Sequence, residues 1–355
     1  MTGASEPPTP STETDASVLH EAMLRRLPEC LAVTAQVNVP PIPALLDHYV
    51  RLFDELWTAV GRSCSPEELE TFKGVLQTKL QGAWNASQYS KVTVSYATDV
   101  APNPGLKWNV TVVLSSLSDV YENWAQTREA PHFGTHPDAK VLSLARSLGK
   151  PAQVPILDIG AGPGRNTLPL AREGFPTDAI EVAPTFAAML REEAKAARLP
   201  VRVFEGNLFD TSIGVPVNRY RLLVLAEVAS HFRNVASFRA LFQRAAKLLK
   251  SGGLLVFSAF LANDGYEPDA IARQLSQVRW CSLFTRADLA EGLAGEPFEL
   301  VSDESAAVFE KANLPASHWP PTGWFEAWSS GLDIFDLPTG KSACQLRWLV
   351  YRRTD

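Results

Sequence analysis

The chain has 355 residues, 46% of them apolar and 20% charged, with a formal net charge of -6. That length suggests two domains, or one domain with large additions, and the apolar share suffices for a packed core. Net acidity without a basic stripe argues against a general affinity for nucleic acid or an anionic membrane, and no apolar run approaches the length of a transmembrane helix.

Residues 1–16 read as a disordered tail, polar and rich in Pro, Ser and Thr, without the charged-then-apolar pattern of a secretory signal. The four cysteines, Cys30, Cys64, Cys281 and Cys344, form no CxxC pair. That spacing argues against a metal site or a disulfide framework and for a cytoplasmic protein.

Residues 17–137 read as a helical and β-hairpin region. A short helix is expected over Ala16–Arg26, then an extended or turn-like, Pro-rich stretch over Val37–Pro43. Leu45, Leu46, Tyr49, Leu52, Phe53, Leu56 and Val60 fall on one face of a helix over Ala44–Val60. Ser65, Pro66 and Glu68 form the start of a second helix running to Leu80, with Ser65 as cap and Glu68 closing a capping box. Val92–Tyr96 and Trp108–Leu114 predict a hairpin across the turn-rich 99–105. A helix follows over Ser116–Ala125.

From residue 138 the texture changes. Helix 139–148, strand 154–159, a glycine turn, helix 166–173, strand 177–182, helix 185–197, strand 201–205, strand 220–225, helix 235–249, turn 251–253 and strand 254–259 alternate. This alternation predicts a mostly parallel sheet with helices on both faces.

The turn Asp158-Ile159-Gly160-Ala161-Gly162-Pro163-Gly164 ends a strand and opens a helix, the layout of a nucleotide site. Its spacing is Gly160-x-Gly162-x-Gly164, and Arg165 stands where a dinucleotide turn wants its third glycine. Asp158 before the loop would repel a pyrophosphate but suits the sulfonium and ammonium of S-adenosylmethionine. Glu181 ends the next strand, where a carboxylate accepts ribose hydroxyls, with Val182 beside it.

Residues 157–164 resemble the first motif of class I S-adenosylmethionine-dependent methyltransferases. Gly164-Arg165-Asn166-x-Leu168-x-Leu170-Ala171 is similar to the tellurite-resistance methyltransferase group of that class. The resemblance covers about 138–260 and the strand 345–351. It implies an α/β, Rossmann-like, mostly parallel seven-stranded sheet over 138–355 and S-adenosylmethionine as cofactor. It also implies donor contacts from Asp158, Gly160, Ala161, Gly162, Gly164, Asn166, Glu181 and Val182. Asn207, followed by Leu208, stands where the family usually has an Asp for the adenine amino group, and its side-chain oxygen can accept the same bond. Ala226 follows the fourth strand, where the donor's methyl is usually passed.

Methyl transfer needs alignment first and a base only where the nucleophile must lose a proton. His231 is the expected base, at the carboxyl edge of the sheet, with Glu227 one helical turn away either to orient it or to touch the donor. Packing of the following helix is the competing role for His231. Phe298–Val301 and Leu346–Tyr351 look like the last two strands. The long connection 302–344 reads as a cap insertion, and Trp319, Trp324 and Trp328 within it are candidate acceptor walls or plain packing. Tyr121 and Trp124, with Phe133 and His136, are expected in a segment folding over the donor.

Together these readings predict a methyltransferase acting on a small-molecule acceptor. Oxygen, nitrogen, sulfur and carbon nucleophiles all stay open, and the sequence carries no signal for oligomeric state. A nucleotide-dependent oxidoreductase and a non-catalytic scaffold that keeps the fold are the rival readings.

Overall fold

The computed structural model describes residues 12–100, 105–338 and 341–355. Residues 1–11 of the expected tail, and 101–104 in the expected hairpin turn, lie outside the described residues. The chain forms two compact units, one from residues up to Ala86 together with Ser90–Leu114, the other from Ser87–Tyr89 and Ser115–Asp355.

The first unit contains helix α1 (Ala16–Leu24), strand β1 (Thr34–Val39), helices α2 (Leu46–Ala59) and α3 (Pro66–Ala86), and strands β2 (Lys91–Asp99) and β3 (Gly105–Val113). The expected hairpin β2–β3 is present, with Val92 opposite Val112 and Tyr96 opposite Trp108. The expected extended stretch is in fact a third strand that begins earlier: β1 pairs with β2 from Thr34↔Ala97 to Val39↔Val92. The prolines that follow Val39 end this strand instead of preventing it, since the six residues before them all keep their N–H groups. The capping box is formed as read: the Ser65 N–H donates to Glu68 at 2.7 Å and the Glu68 N–H to Ser65 Oγ at 3.2 Å. Helix α3 continues past Leu80 because Phe72, Leu76, Leu80 and Ala83 form one buried stripe. Phe53, Trp57, Phe72, Val92 and Val94 make the core of this unit.

The second unit holds α4 (Leu117–Thr127), α5 (Ala139–Ser147), β4 (Ile156–Ile159), α6 (Thr167–Arg172), β5 (Thr177–Glu181), α7 (Pro184–Ala196), β6 (Arg202–Glu205) and β7 (Tyr220–Leu225). It continues with α8 (Val235–Leu248), β8 (Leu249–Ala262), α9 (Ala270–Val278), β9 (Leu283–Phe284), α10 (Arg286–Leu293), β10 (Phe298–Ser305), α11 (Ala306–Asn313), α12 (Phe325–Ser329) and β11 (Cys344–Arg353). Segment 115–137, expected with the N-terminal region, belongs here.

The strand order is β10-β11-β8-β7-β4-β5-β6, with the short β9 added beside β8, so the sheet has eight strands where seven were expected. Strands β4 to β8 pair in parallel, and β11 runs antiparallel between β8 and β10. The apolar strands are buried on both faces. Along β8, Leu255, Phe257, Ala259 and Leu261 enter one core cluster, and Leu254, Val256, Phe260 and Ala262 the other. The turn 251–253 lies inside β8 as a register jump: Tyr220 faces Leu249, but Leu222 faces Leu254. The cap insertion also starts later than expected, because β10 keeps pairing with β11 up to Ser305.

Candidate functional site

Strand β4 has β5 on one side and β7 on the other, so the chain reverses its direction of travel across the sheet there. The crevice beyond the carboxyl ends of these strands is where open parallel sheets take ligands. A cavity of about 390 Å³ occupies it, and Asp158, Gly160, Ala161, Gly162, Asn166, Glu181, Val182, Asn207, Leu208, Ala226, Glu227 and His231 all line it. Gly164 does not. At φ +106° it lets the turn close onto neighbouring side chains, and a Cβ there would lie 2.6 Å from Leu190 Cδ1. Gly164 thus packs the turn against Leu190 of α7 and Leu168 of α6.

Asp158 is 2% exposed and accepts the Thr167 hydroxyl at 2.6 Å. Burial pushes its carboxyl up to about 6, against the Thr167 bond and the Arg165 charge. Glu181 accepts the N–H of Gly162 at 2.7 Å and of Ala183 at 2.9 Å, and burial raises its pKa too. Each carboxylate oxygen offers two lone pairs, so both residues keep acceptor capacity toward the cavity. Two buried carboxylates above a glycine turn fit a ligand carrying a cationic group and a ribose. Asn207 Oδ1 accepts the Phe209 N–H at 2.9 Å, a turn bond that uses one of its two lone pairs.

Arg165, read in the sequence only as a departure from a dinucleotide turn, is nearly buried and bridges Asp138 at 2.5 Å and Glu227 at 2.8 Å. Asn166 closes the same network, donating to Asp138 at 2.8 Å. This corrects the orienting role expected for Glu227, which still lines the first cavity. The chain leaves β7 with Glu227 at φ +62°, its N–H donating to Ser258 Oγ at 2.8 Å, and its carboxylate turns to Arg165 instead of orienting His231.

Tyrosines orient His231. The Tyr89 hydroxyl lies 2.5 Å from Nδ1 and the Tyr121 hydroxyl 2.7 Å from Nε2. Burial holds the imidazole down at about 4 and pushes both phenols well up, so the ring is neutral and both tyrosines keep their protons.

A second cavity of about 300 Å³ shares Tyr121, Phe133, Glu227 and His231 with the first. Trp124, Trp324 and Trp328 line it. Trp319 does not: it packs edge-on against Phe325 at 5.8 Å. Trp280, missed in the sequence, stacks on Trp124 at 4.4 Å and sits at φ +63°, an uncommon backbone state for a bulky residue. It is held there by its carbonyl, which accepts the Trp328 indole N–H at 3.2 Å. Two residues in the left-handed region, Glu227 and Trp280, thus line one cavity, a concentration of strain typical of functional sites.

A family model described as a methyltransferase domain matches residues 128–303. A methyltransferase-named protein of Geobacillus sp. (strain WCH70) is 25% identical over 117 residues, 33% of this chain and 47% of that protein. The chain thus spans about half the length of this curated relative. Geranyl diphosphate C-methyltransferase of Streptomyces coelicolor A3(2), solved with Mg2+, geranyl diphosphate and S-adenosyl-L-homocysteine, has a TM-score of 0.51 at 15% identity, covering 68% of this chain and 98% of that one. A geranyl diphosphate methyltransferase solved with its substrate and sinefungin has a TM-score of 0.48 at 15% identity, covering 61% and 77%. The match is to a general methyltransferase model, and the narrower likeness to the tellurite-resistance group gains no support from it.

Proposed function

Because this chain carries a class I S-adenosylmethionine-dependent methyltransferase domain, we propose that it methylates a small-molecule acceptor seated in the tryptophan-lined cavity. The supporting observation is the junction: Tyr121, Phe133, Glu227 and His231 line both cavities, so a donor in one meets an acceptor in the other. When bound, the donor supplies a methyl carbon activated by its sulfonium; the acceptor's electron pair forms the new bond, and the carbon–sulfur pair stays on sulfur as a neutral thioether. Asp158 and Glu181 hold the donor's cationic and ribose groups. Phe133 and Phe186 cover it and exclude water, which strengthens those contacts. Trp280, Trp324 and Trp328 wall the acceptor's position, so that alignment supplies much of the rate.

His231 works through Tyr121 in this reading, and not as a free base, because both ring nitrogens are engaged and its pKa is held at about 4. Glu227 sets the rim of the site through Arg165.

Calorimetric titration with S-adenosylmethionine and S-adenosylhomocysteine tests the reading. Asp158→Ala and Glu181→Ala should each abolish measurable binding, and His231→Ala should leave it intact. No heat from either ligand would point to a scaffold, and binding of NADH in their place to an oxidoreductase. Equal loss in all three variants would remove the separation between donor and acceptor residues.

A further inference from the structure

The direction of the hydrogens along one chain of side chains says what the acceptor must present. Gln88 sets that direction. Its amide nitrogen lies 3.2 Å from the carbonyl oxygen of His231, an atom that only accepts, so this end of the amide is the NH2 group. The second hydrogen of that group goes to the Tyr89 hydroxyl at 3.1 Å. Tyr89 oxygen therefore accepts from Gln88, and its own proton finds its acceptor at His231 Nδ1, 2.5 Å away. The opposite tautomer would strand the Tyr89 proton without an acceptor among the described residues, at about 1–3 kcal/mol. The neutral imidazole then carries its hydrogen on Nε2 and donates to Tyr121 at 2.7 Å. Tyr121 accepts there. Its own O–H has no further partner among the described residues, and the residue lines both cavities where they meet.

From this polarity, and resting on the methyl transfer proposed above, we infer that the acceptor is a phenol or enol that reacts as its oxyanion, with the oxygen held by the Tyr121 O–H and the body of the molecule within the cavity that Trp124, Trp280, Trp324 and Trp328 line. A hydrogen bond from an obligatory donor favours the ionised form of such an oxygen. The proton leaves to solvent as the molecule binds, so no side chain has to take it, and this removes the need for a basic His231. Burial first, then Tyr89, Glu181 and Glu227, push Tyr121's own phenol upward, so it stays a donor while the acceptor ionises.

The charges around the second cavity agree. Arg128 lies 3.5 Å over the Trp124 ring, and neither it nor Arg279 is in an ion pair among the described residues. Glu227 is already neutralised by Arg165, which leaves Asp333 as the opposing charge in the described lining. The balance favours an anionic molecule. Tyr89 and His231 are positioning residues: they act only through the tyrosine that touches the acceptor.

The test uses the full chain saturated with sinefungin and probed with 7-hydroxycoumarin-3-carboxylate. This probe is planar, carries a carboxylate for the arginines, and reports ionisation of its phenol by absorbance. The bound phenol should ionise at a proton concentration about tenfold or more above that of the free probe. Tyr121→Phe should bind the probe but return its ionisation to the free value. Tyr89→Phe should weaken the shift while leaving affinity for the neutral-phenol form, read at low pH, almost unchanged, a split that mere packing would not produce. A bound phenol that ionises like the free one or less readily, a Tyr121→Phe variant that behaves as wild type, or no saturable probe binding to the sinefungin complex overturns the inference. Calorimetry of sinefungin beforehand separates the two levels: no binding there overturns the methyltransferase reading as well, whereas binding without the shift overturns the oxyanion inference alone.

Discussion

Asp158 shows a site residue set against the stability of its own fold. Its folded pKa, about 6, lies above its ordinary value of 3.8, so the folded chain binds this proton more tightly than the unfolded one. Stability therefore falls as pH rises from about 4 through 6, and at neutral pH the buried carboxylate is a standing destabilisation that a bound cation relieves. Asp158→Asn should raise the ligand-free Tm at pH 7 by a few degrees, on the order of 1–2 kcal/mol. The same change should weaken S-adenosylmethionine about tenfold or more. In the wild type, affinity for that cation should drop as pH falls below about 6. Scanning calorimetry and titrations at pH 5 and pH 7 read both effects. A lower Tm in the variant, or donor affinity that rises toward pH 5, would refute the assignment. The residue was legible because a carboxylate between a strand and a glycine turn has few other uses. Trp280 was not, since a lone tryptophan carries no sign of its backbone state.

Among the elements, the site depends on two buried fastenings. Gly164 lets the turn after β4 close onto α7. Gly164→Ala would place a methyl 2.6 Å from Leu190 Cδ1 on a backbone that side chains rarely adopt, at a cost of about 1–3 kcal/mol in urea unfolding. Donor affinity should fall with it, because Gly160 and Gly162 lie on the same turn. The other fastening is Glu310 on α11. Its carboxylate accepts the N–H groups of Ala139 at 2.7 Å and Lys140 at 3.1 Å, capping α5, and the Trp348 indole at 3.0 Å. Glu310→Ala leaves these donors unpaired and should cost about 3 kcal/mol or more, with Glu310→Gln recovering part. A Glu310→Ala variant as stable as the wild type would show that the cap is dispensable. The sequence identified 302–344 as an insertion from its length, but not this anchor, which joins positions 170 residues apart.

On the scale of the whole molecule, the crevice between β4 and β7 gathers residues from Leu117 to Asp333 into one pair of cavities, all within the second unit. A ligand that binds only this folded arrangement stabilises it by mass action. S-adenosylhomocysteine at a hundredfold excess over its Kd should add about 2.7 kcal/mol to unfolding of that unit. An unchanged Tm under saturation would show that the site is not preformed. Among the described residues no helix is long and apolar enough to cross a membrane.

The sequence by itself determined the alternation of strands and helices, the parallel core and the glycine turn after β4, because hydrophobic period, glycine spacing and a terminal carboxylate are local signals. Only the tertiary structure decided that His231 is held between two tyrosines, that Glu227 answers to Arg165, that Trp124 stacks on Trp280, and that β1 joins a sheet. Each of these is a contact between residues distant in the chain, and the free energy of such a contact depends on geometry that no local pattern encodes.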